Sequence, residues 1–312
     1  MINKIRENKN LLLIIVIVAL ALLSFWMYRY YSQDFGIERV AAEPEEGFSV
    51  DYFYYTAEDL AGQSEAPLIV HPFHAGVDGE IEQNEAAEKA YAAARSLHTL
   101  AREMEAAIIV PAFSLADTAG EDEGSVSIEE RYQRTGAELQ AIIDHFRKRM
   151  QGRDINIQEE VNLFGFGYSA LYASRWQLMY PDSVRTAVLG APGEWPAVPV
   201  EAERGISFEF PLGLEGLDNN QMRKEALREN AIFHFRGEED DYSLLADSRV
   251  YSSDHQQTLA DLFENEDNYL ETVKQFFARN SLEYTYRTYE DVDHRFNLEM
   301  HDDVLEFMRE FN

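Results

Sequence analysis

The sequence predicts an α/β fold built on a mostly parallel β-sheet with helices on both faces. From residue 67 onward, short apolar runs of strand length alternate with long segments of helical periodicity. The runs at residues 67–70 and 161–164 consist mostly of apolar residues and do not alternate with polar ones. Strands that are covered on both faces of a sheet tend to have such sequences. Such alternation is typical of a parallel sheet whose strands are joined by helices, and 312 residues suffice for one such domain with additional segments.

The predicted strands share a high content of branched and aromatic residues. They lie at residues 50–55, 67–70, 107–111, 161–164, 186–189, 231–235 and 283–289. The predicted helices share helix-forming composition or apolar residues at helical spacing. They lie at residues 84–104, 128–150, 170–180 and 296–311, with a further helix-rich segment at 253–280.

An apolar run without charges, at residues 11–27, is near the lower length limit for a helix that spans a bilayer. Lys4, Arg6 and Lys9 precede the run, and aromatic residues follow it as they do at a membrane interface. This charge bias favours an uncleaved signal anchor with the N-terminus in the cytoplasm. A cleaved secretory signal is the alternative, but the small residues suited to cleavage, at 40–42, lie well beyond the apolar run.

The chain is therefore expected to have four parts. They are a cytoplasmic tail at residues 1–10, a transmembrane signal anchor at 11–28, a linker at 29–48, and an extracytoplasmic domain at 49–312 in which residues 194–230 form a cap. The expected location is the cell membrane, crossed once, with the main domain outside the cytoplasm.

The composition excludes several classes of function. The chain carries 57 acidic and 27 basic residues, a net charge of −30, which argues against binding to nucleic acid or to an anionic lipid surface. It contains no cysteine, so disulfides, thiolate metal sites and cysteine nucleophiles are all excluded.

A strand, a tight turn, a helix and a second strand follow one another over residues 161–192. The turn has the sequence Gly165-Phe166-Gly167-Tyr168-Ser169. The helix after it stops at Tyr180-Pro181-Asp182, and a Gly-Ala-Pro-Gly turn follows the second strand at 190–193. This unit resembles the nucleophile-elbow region of the α/β-hydrolase fold, in particular bacterial serine hydrolases of the polyhydroxybutyrate-depolymerase-like and esterase-like type.

Aligned without a gap, the resemblance places Gly167 where the family has its serine nucleophile. Two interpretations follow. In one, Ser169 is the nucleophile and the turn has slipped by two residues. In the other, Gly167 occupies the strained elbow position, and Ser169 is only the small residue required where the helix passes close to the strand. The second interpretation is favoured, because a slip would rotate the apolar face of the helix.

The resemblance also implies the other members of the site. His294 follows the last predicted strand, as the catalytic histidine of the family does, and Asp240 lies in a turn suited to the acid, with Asp241 as a second candidate. The oxyanion-hole donors are expected at Tyr168 and near Phe73 and His74.

No metal or cofactor is expected. His71 and His74 form a pair, but no third ligand at a recognisable spacing accompanies them. The sequence therefore favours a non-catalytic binding or accessory protein with a hydrolase-like pocket for a small-molecule or polymer ester-like ligand. The alternative is a serine hydrolase of ester or polyester bonds that uses Ser169, His294 and Asp240.

Overall fold

The computed structural model describes a domain that begins shortly after the predicted membrane anchor. The described residues are 35–58, 60, 63–75, 83–114, 127–193, 197–203, 206–243, 250–262 and 269–312. Residues Ile37–Asn312 form one compact unit. The predicted cytoplasmic tail and signal anchor lie outside the described residues, and among the helices of the described ranges none is long and apolar enough to cross a membrane.

An eight-stranded sheet forms the centre of the unit. In chain order its strands are β1 (Glu38–Val40), β2 (Tyr52–Thr56), β3 (Leu68–Val70), β5 (Ala107–Pro111), β7 (Val161–Phe166), β8 (Val184–Gly190), β11 (Ala231–Gly237) and β12 (Glu283–Tyr289). Their spatial order is β1-β2-β5-β3-β7-β8-β11-β12. Strand β2 is antiparallel to both its neighbours, and the remaining pairs are parallel. The predicted mostly parallel sheet is confirmed.

Four short strands make two small accessory pairs. They are β4 (His74–Ala75), β6 (Phe113–Ser114), β9 (Ala202–Glu203) and β10 (Ile206–Ser207), with β4 beside β6 and β9 beside β10. The pairing of β4 with β6 extends β3 and β5 beyond the main sheet, since each short strand closely follows one of those two strands.

Seven α-helices are described. They are α1 (Gln83–Glu103), α2 (Ile128–Gln151), α3 (Tyr168–Met179), α4 (Asn220–Leu227), α5 (Ser253–Leu262), α6 (Tyr269–Arg279) and α7 (Leu298–Glu310). Helix α2 begins with a capping box, in which the Ser127 hydroxyl accepts from the Glu130 N–H and the Glu130 carboxylate accepts from the Ser127 N–H. The long predicted helices are all present, with ends that differ by one or two residues.

Both faces of the central sheet are covered. Every residue of β3 and β5 is buried. Because side chains alternate between the two faces of a strand, complete burial requires covering layers on both sides. These strands therefore have the nearly uninterrupted apolar sequences from which the fold class was predicted.

The predicted linker was wrong in extent. Residues 38–40, placed in the linker by the sequence, form β1 at the edge of the sheet and pair with β2. The Glu38 carboxylate also accepts two hydrogen bonds from Arg153, at 2.7 and 2.8 Å. Three residues are too short for a strand pattern to be visible in a sequence, and this strand is specified by its partners. The compact unit thus begins at Ile37, not at residue 49.

The segment predicted as a cap, residues 194–230, is partly described and contains β9, β10 and α4. It packs against the helices beside β7. The ring of Phe210 meets that of Tyr132 on α2 edge to face at 6.0 Å, and the Ala197 N–H donates to the Ser174 hydroxyl on α3 at 3.3 Å. Its function as a cap stays a prediction.

Candidate active site

The turn between β7 and α3 has the backbone conformation of a strained elbow. Gly167 has φ 61° and ψ −131°, a region that only glycine enters without strain. Its N–H donates to the Gly190 carbonyl at 2.9 Å, and its own carbonyl accepts from the Ala170 N–H at 3.0 Å as the helix begins. The turn is therefore fixed on one side by the end of β8 and on the other by the first turn of α3.

The side-chain direction at Gly167 faces a histidine. A Cβ atom built on Gly167 would lie 3.1 Å from Nε2 of His294 and 3.8 Å from Cε1 of Tyr242. A side chain at this position would therefore project directly at the imidazole. In this chain there is only a hydrogen atom at that point.

Gly165 and Ser169 bring the helix and the strand together. A Cβ on Gly165 would collide with the backbone of Ala170 and would lie 2.6 Å from the carbonyl carbon of Ser169. Ser169 lies in the first turn of α3 and is 4% exposed. Since side chains two positions apart along a helix do not face each other, side chains at 167 and 169 leave the turn in different directions. Ser169 as nucleophile stays a prediction.

His294 and Asp240, predicted to form a pair, lie side by side. Nδ1 of His294 is 3.1 Å from each carboxylate oxygen of Asp240. A carboxylate only accepts hydrogen bonds, so in the neutral form of the ring Nδ1 carries the proton and Nε2 is left as an acceptor. Nε2 is the atom that faces Gly167. The geometry thus holds a proton acceptor towards the elbow.

The carboxylate of Asp240 is nearly enclosed. Its side chain is 2% exposed, whereas that of His294 is 31% exposed. Burial raises the pKa of Asp240, but hydrogen bonds from His294 and from the Tyr242 N–H, together with the charge of Arg236, outweigh burial and lower it below 3.8. The Tyr242 N–H lies 2.9 Å from Oδ1. Asp240 is therefore ionised at neutral pH.

A close approach of two loops positions this pair. Asp240 follows β11 and His294 follows β12, two adjacent parallel strands whose carboxyl ends meet at one edge of the sheet. The Glu239 N–H donates to the Val292 carbonyl at 3.0 Å, and a Cβ on Gly237 would collide with that same carbonyl. Only glycine at 237 allows the two loops to lie against each other.

Neighbouring acidic residues point elsewhere. Asp241, the second candidate for the acid, is exposed. The Asp293 carboxylate, beside His294 in sequence, pairs with Nε of Arg295 at 3.0 Å. Asp240 is thus the carboxylate that reaches the imidazole.

Two aromatic rings flank His294, and sequence reasoning missed both contacts. Tyr242 stacks on the imidazole, with ring centroids 4.0 Å apart and an angle of 27° between the ring planes. Phe166, the residue before the elbow, lies with its ring centroid 4.9 Å from that of the imidazole. Tyr242 follows Asp240 by two residues, but this spacing alone does not indicate stacking. The two rings pack against the imidazole and restrict its movement. The Tyr242 ring also limits the space available to a side chain at position 167.

The candidate oxyanion donors have different surroundings. Tyr168 is the first residue of α3, directly after the elbow. The Phe73 N–H donates to the His71 carbonyl at 2.7 Å, so it can serve as an oxyanion donor only if that bond opens. His74 lies in β4, paired with Phe113 of β6. Tyr168 and His74 remain candidate donors by position.

His71 links two central strands. It lies just after β3, and its Nδ1 is 2.9 Å from the Phe164 carbonyl on β7. Burial lowers its pKa to about 4, against the opposing effect of this hydrogen bond, so the ring is neutral at pH 7. Within the described ranges, no group of three or more histidine, aspartate or glutamate side chains is arranged to hold a metal ion.

Comparison with known proteins identifies the class of fold. No family model and no curated protein sequence matches the chain. Among solved structures, poly(aspartic acid) hydrolase-1 from Sphingomonas sp. KT-1 superimposes with a TM-score of 0.55 at 13% identity, over 88% of this chain and 97% of that one. A poly(3-hydroxybutyrate) depolymerase from Bordetella parapertussis gives 0.51 at 15% identity, over 78% and 80% of the two chains.

These superpositions, with the strand order and the position of the Asp240–His294 pair, define the α/β-hydrolase fold. The chain has this fold, and the resemblance predicted from residues 161–193 is confirmed at that level. At such low identity the likeness is one of fold alone.

Proposed function

We propose that this chain is an α/β-hydrolase-fold protein that binds a ligand in a hydrolase-like pocket without hydrolysing it. The observation that carries the proposal is the hydrogen atom of Gly167 at the point where a side chain would face Nε2 of His294. In a serine hydrolase of this fold, the hydroxyl at that point attacks the carbonyl carbon and passes its proton to the histidine. Here the proton acceptor is in place and the nucleophile is missing.

The remaining parts of the site still suit ligand binding. Asp240 fixes His294 with its acceptor nitrogen directed at Gly167, and Tyr242 and Phe166 provide aromatic surface beside the imidazole. Such a mixture of apolar walls with one or two oriented polar atoms is usual in small-molecule sites. The ligand class we propose is a small-molecule or polymeric ester. Serine hydrolases that have this fold act on ester carbonyls, and this chain keeps their acid–histidine pair.

An alternative function, hydrolysis of ester or polyester bonds with Ser169 as nucleophile, is favoured by the intact Asp240–His294 pair. Labelling of the purified chain with a fluorophosphonate, which reacts with activated serines, separates the two. The binding function predicts no labelling. Labelling that disappears in a Ser169→Ala variant would establish the alternative.

We further propose that the domain is held at the outer side of the cell membrane by residues 11–28. Support comes from the uncharged run at 11–27 and from the three basic residues that precede it. The excess of acidic residues, 57 against 27 basic, suits a domain that does not bind an anionic lipid surface directly.

A further inference from the structure

Helix α3 carries a fully buried arginine that the site described above does not use. Arg175 is 0% exposed. Its guanidinium carbon lies 4.6 Å from the ring centroid of Tyr132 and 5.0 Å from that of Tyr251. Its Nη1 donates to the Tyr132 hydroxyl. The two rings supply cation–π contacts, but neither side chain is a carboxylate.

The other edge of this guanidinium has no hydrogen-bond partner among the described residues. Nε and Nη2 of Arg175 are both buried and make no hydrogen bond within the described part of the chain. These two nitrogens carry parallel N–H groups, which in other proteins donate one hydrogen bond to each oxygen of a carboxylate. A buried cation whose donors are unpaired is strongly unfavourable, so an anion is expected against this edge.

Among the described residues, no group near Arg175 neutralises it. No carboxylate of this part of the chain hydrogen-bonds to its Nε or Nη2, although the chain has 57 acidic side chains. His255 lies close enough that burial first, and then the positive charge of Arg175, lower its pKa to about 4. His255 is thus neutral at pH 7 and adds no compensating charge. The described residues around Arg175 are thus tyrosine rings and a neutral histidine.

Arg175 is connected to the candidate active site through tyrosines. The hydroxyl of Tyr132, which accepts from Arg175, lies 3.4 Å from the hydroxyl of Tyr168, the residue after the elbow. Tyr168 and Arg175 are seven positions apart on α3, which places them on the same face and about 10 Å apart along the axis. A ligand with one end at His294 and a carboxylate two helical turns away would span both positions.

We propose that the Nε and Nη2 edge of Arg175 binds the carboxylate of a small organic acid or of a hemiester ligand. The inference rests on the proposed function, in that the ligand is held and not hydrolysed. It is tested by binding alone, without any turnover. Failure to bind carboxylates would leave the assignment of the elbow untouched, and a nucleophilic Ser169 would leave the assignment of Arg175 untouched.

The experiment is calorimetric titration of the purified full chain at pH 7 and low salt, with glutarate as the probe. Glutaramide has the same carbon skeleton without charge, and inorganic phosphate is a different oxyanion. Because charge-assisted bidentate bonds are strong, glutarate is expected to bind about tenfold more tightly than either control. Equal affinity for glutarate and glutaramide, or tighter binding of phosphate, would overturn the assignment.

Two variants locate the binding. Arg175→Lys keeps the charge and loses the paired donors, so glutarate affinity should fall about tenfold or more. Arg185→Lys is the matched control, because Nε of Arg185 pairs with Glu160 at 2.9 Å and takes no part in the proposed site, so glutarate affinity should stay within about threefold of wild type. If Arg175→Lys fails to fold, the three probes with wild type and with Arg185→Lys decide. Wild type that binds no carboxylate at all would mean that the chain's own acidic groups satisfy Arg175, and the proposal would be wrong.

Discussion

The Cβ position of Gly167 lies 3.1 Å from Nε2 of His294, and the other ring nitrogen of His294 is held by Asp240. Asp240, His294 and Gly167 therefore lie in one line, with a hydrogen atom at the point that Nε2 faces. Under the proposed function, this point is the position of the missing nucleophile. The consequences of this arrangement can be measured at each of its members.

Ser169 is expected to be a packing residue. Substitution Ser169→Ala should change the free energy of unfolding by no more than about 1 kcal/mol, since it removes one hydroxyl next to a close helix–strand contact. Neither wild type nor Ser169→Ala should hydrolyse short acyl esters, so the substitution should not change the rate. Urea unfolding together with an assay on p-nitrophenyl acetate checks both points. Abolished turnover in a variant that remains folded would establish Ser169 as the nucleophile.

Asp240 should contribute to the acid dependence of stability. Its pKa is lower in the folded chain than 3.8, so its contribution is present above that value and is lost as pH falls through the lower, folded pKa. Asp240→Asn should therefore destabilise the chain at pH 7, by about 1–3 kcal/mol for a charged hydrogen bond, and by progressively less as the pH falls below 3.8.

Asp241→Asn is the matched control for Asp240→Asn, because Asp241 is exposed and adjacent in sequence. Its unfolding free energy should follow that of wild type at every pH. Urea unfolding between pH 7 and pH 2 makes the comparison. If both variants behave alike, the pair of Asp240 with His294 does not stabilise the fold.

Gly237 should tolerate no side chain. A methyl group there meets the Val292 carbonyl, so Gly237→Ala must push apart the loops that carry Asp240 and His294. Overpacking of this kind costs about 1–3 kcal/mol. Gly152→Ala, at a helix end with φ −66° and only ordinary contacts, is the control and should be nearly neutral. Thermal unfolding compares the two, and equal melting temperatures would show that the loops are not tightly packed.

The membrane topology can be tested on intact cells. If residues 11–28 are an uncleaved anchor, external protease should remove the domain from intact cells. The protein purified from untreated cells should then still contain residues 11–28. Complete protection of the domain, or a mature N-terminus near residue 43, would count against this topology. A cytoplasmic marker protein that survives the treatment is the control.

The fold class and most of the candidate site could be predicted from the sequence because both require particular residue types at fixed spacing. Buried parallel strands such as β3 and β5 need apolar residues throughout, and the elbow needs small residues at fixed spacing, so both leave patterns in the chain. His294 and Asp240 follow strands whose carboxyl ends meet at one edge, so their positions along the chain already suggested their proximity.

Other features depend on contacts between residues distant in sequence. β1 is three residues long and is specified by its pairing with β2. The stacking of Tyr242 on His294 depends on how the loop after β11 folds back, and the unpaired edge of Arg175 depends on which groups surround it after folding. None of these leaves a periodic pattern, and so none was predicted.

The absence of a nucleophile at Gly167 is tested by Gly167→Ser. Serine at 167 must adopt φ near 61°, which costs about 1–3 kcal/mol, and its Cβ requires His294 to shift by a few tenths of an ångström. Its hydroxyl would then lie within reach of a histidine that Asp240 already orients. Gly167→Ala is the matched control, since it introduces the same strain without the hydroxyl.

The measurement is fluorophosphonate labelling of wild type, Gly167→Ser and Gly167→Ala, with the labelled residue located by mass spectrometry. We expect labelling of Gly167→Ser at residue 167, with weak esterase activity, and no labelling of wild type or of Gly167→Ala. Labelling of wild type at Ser169, with no gain from Gly167→Ser, would contradict the account and identify the chain as an active serine hydrolase.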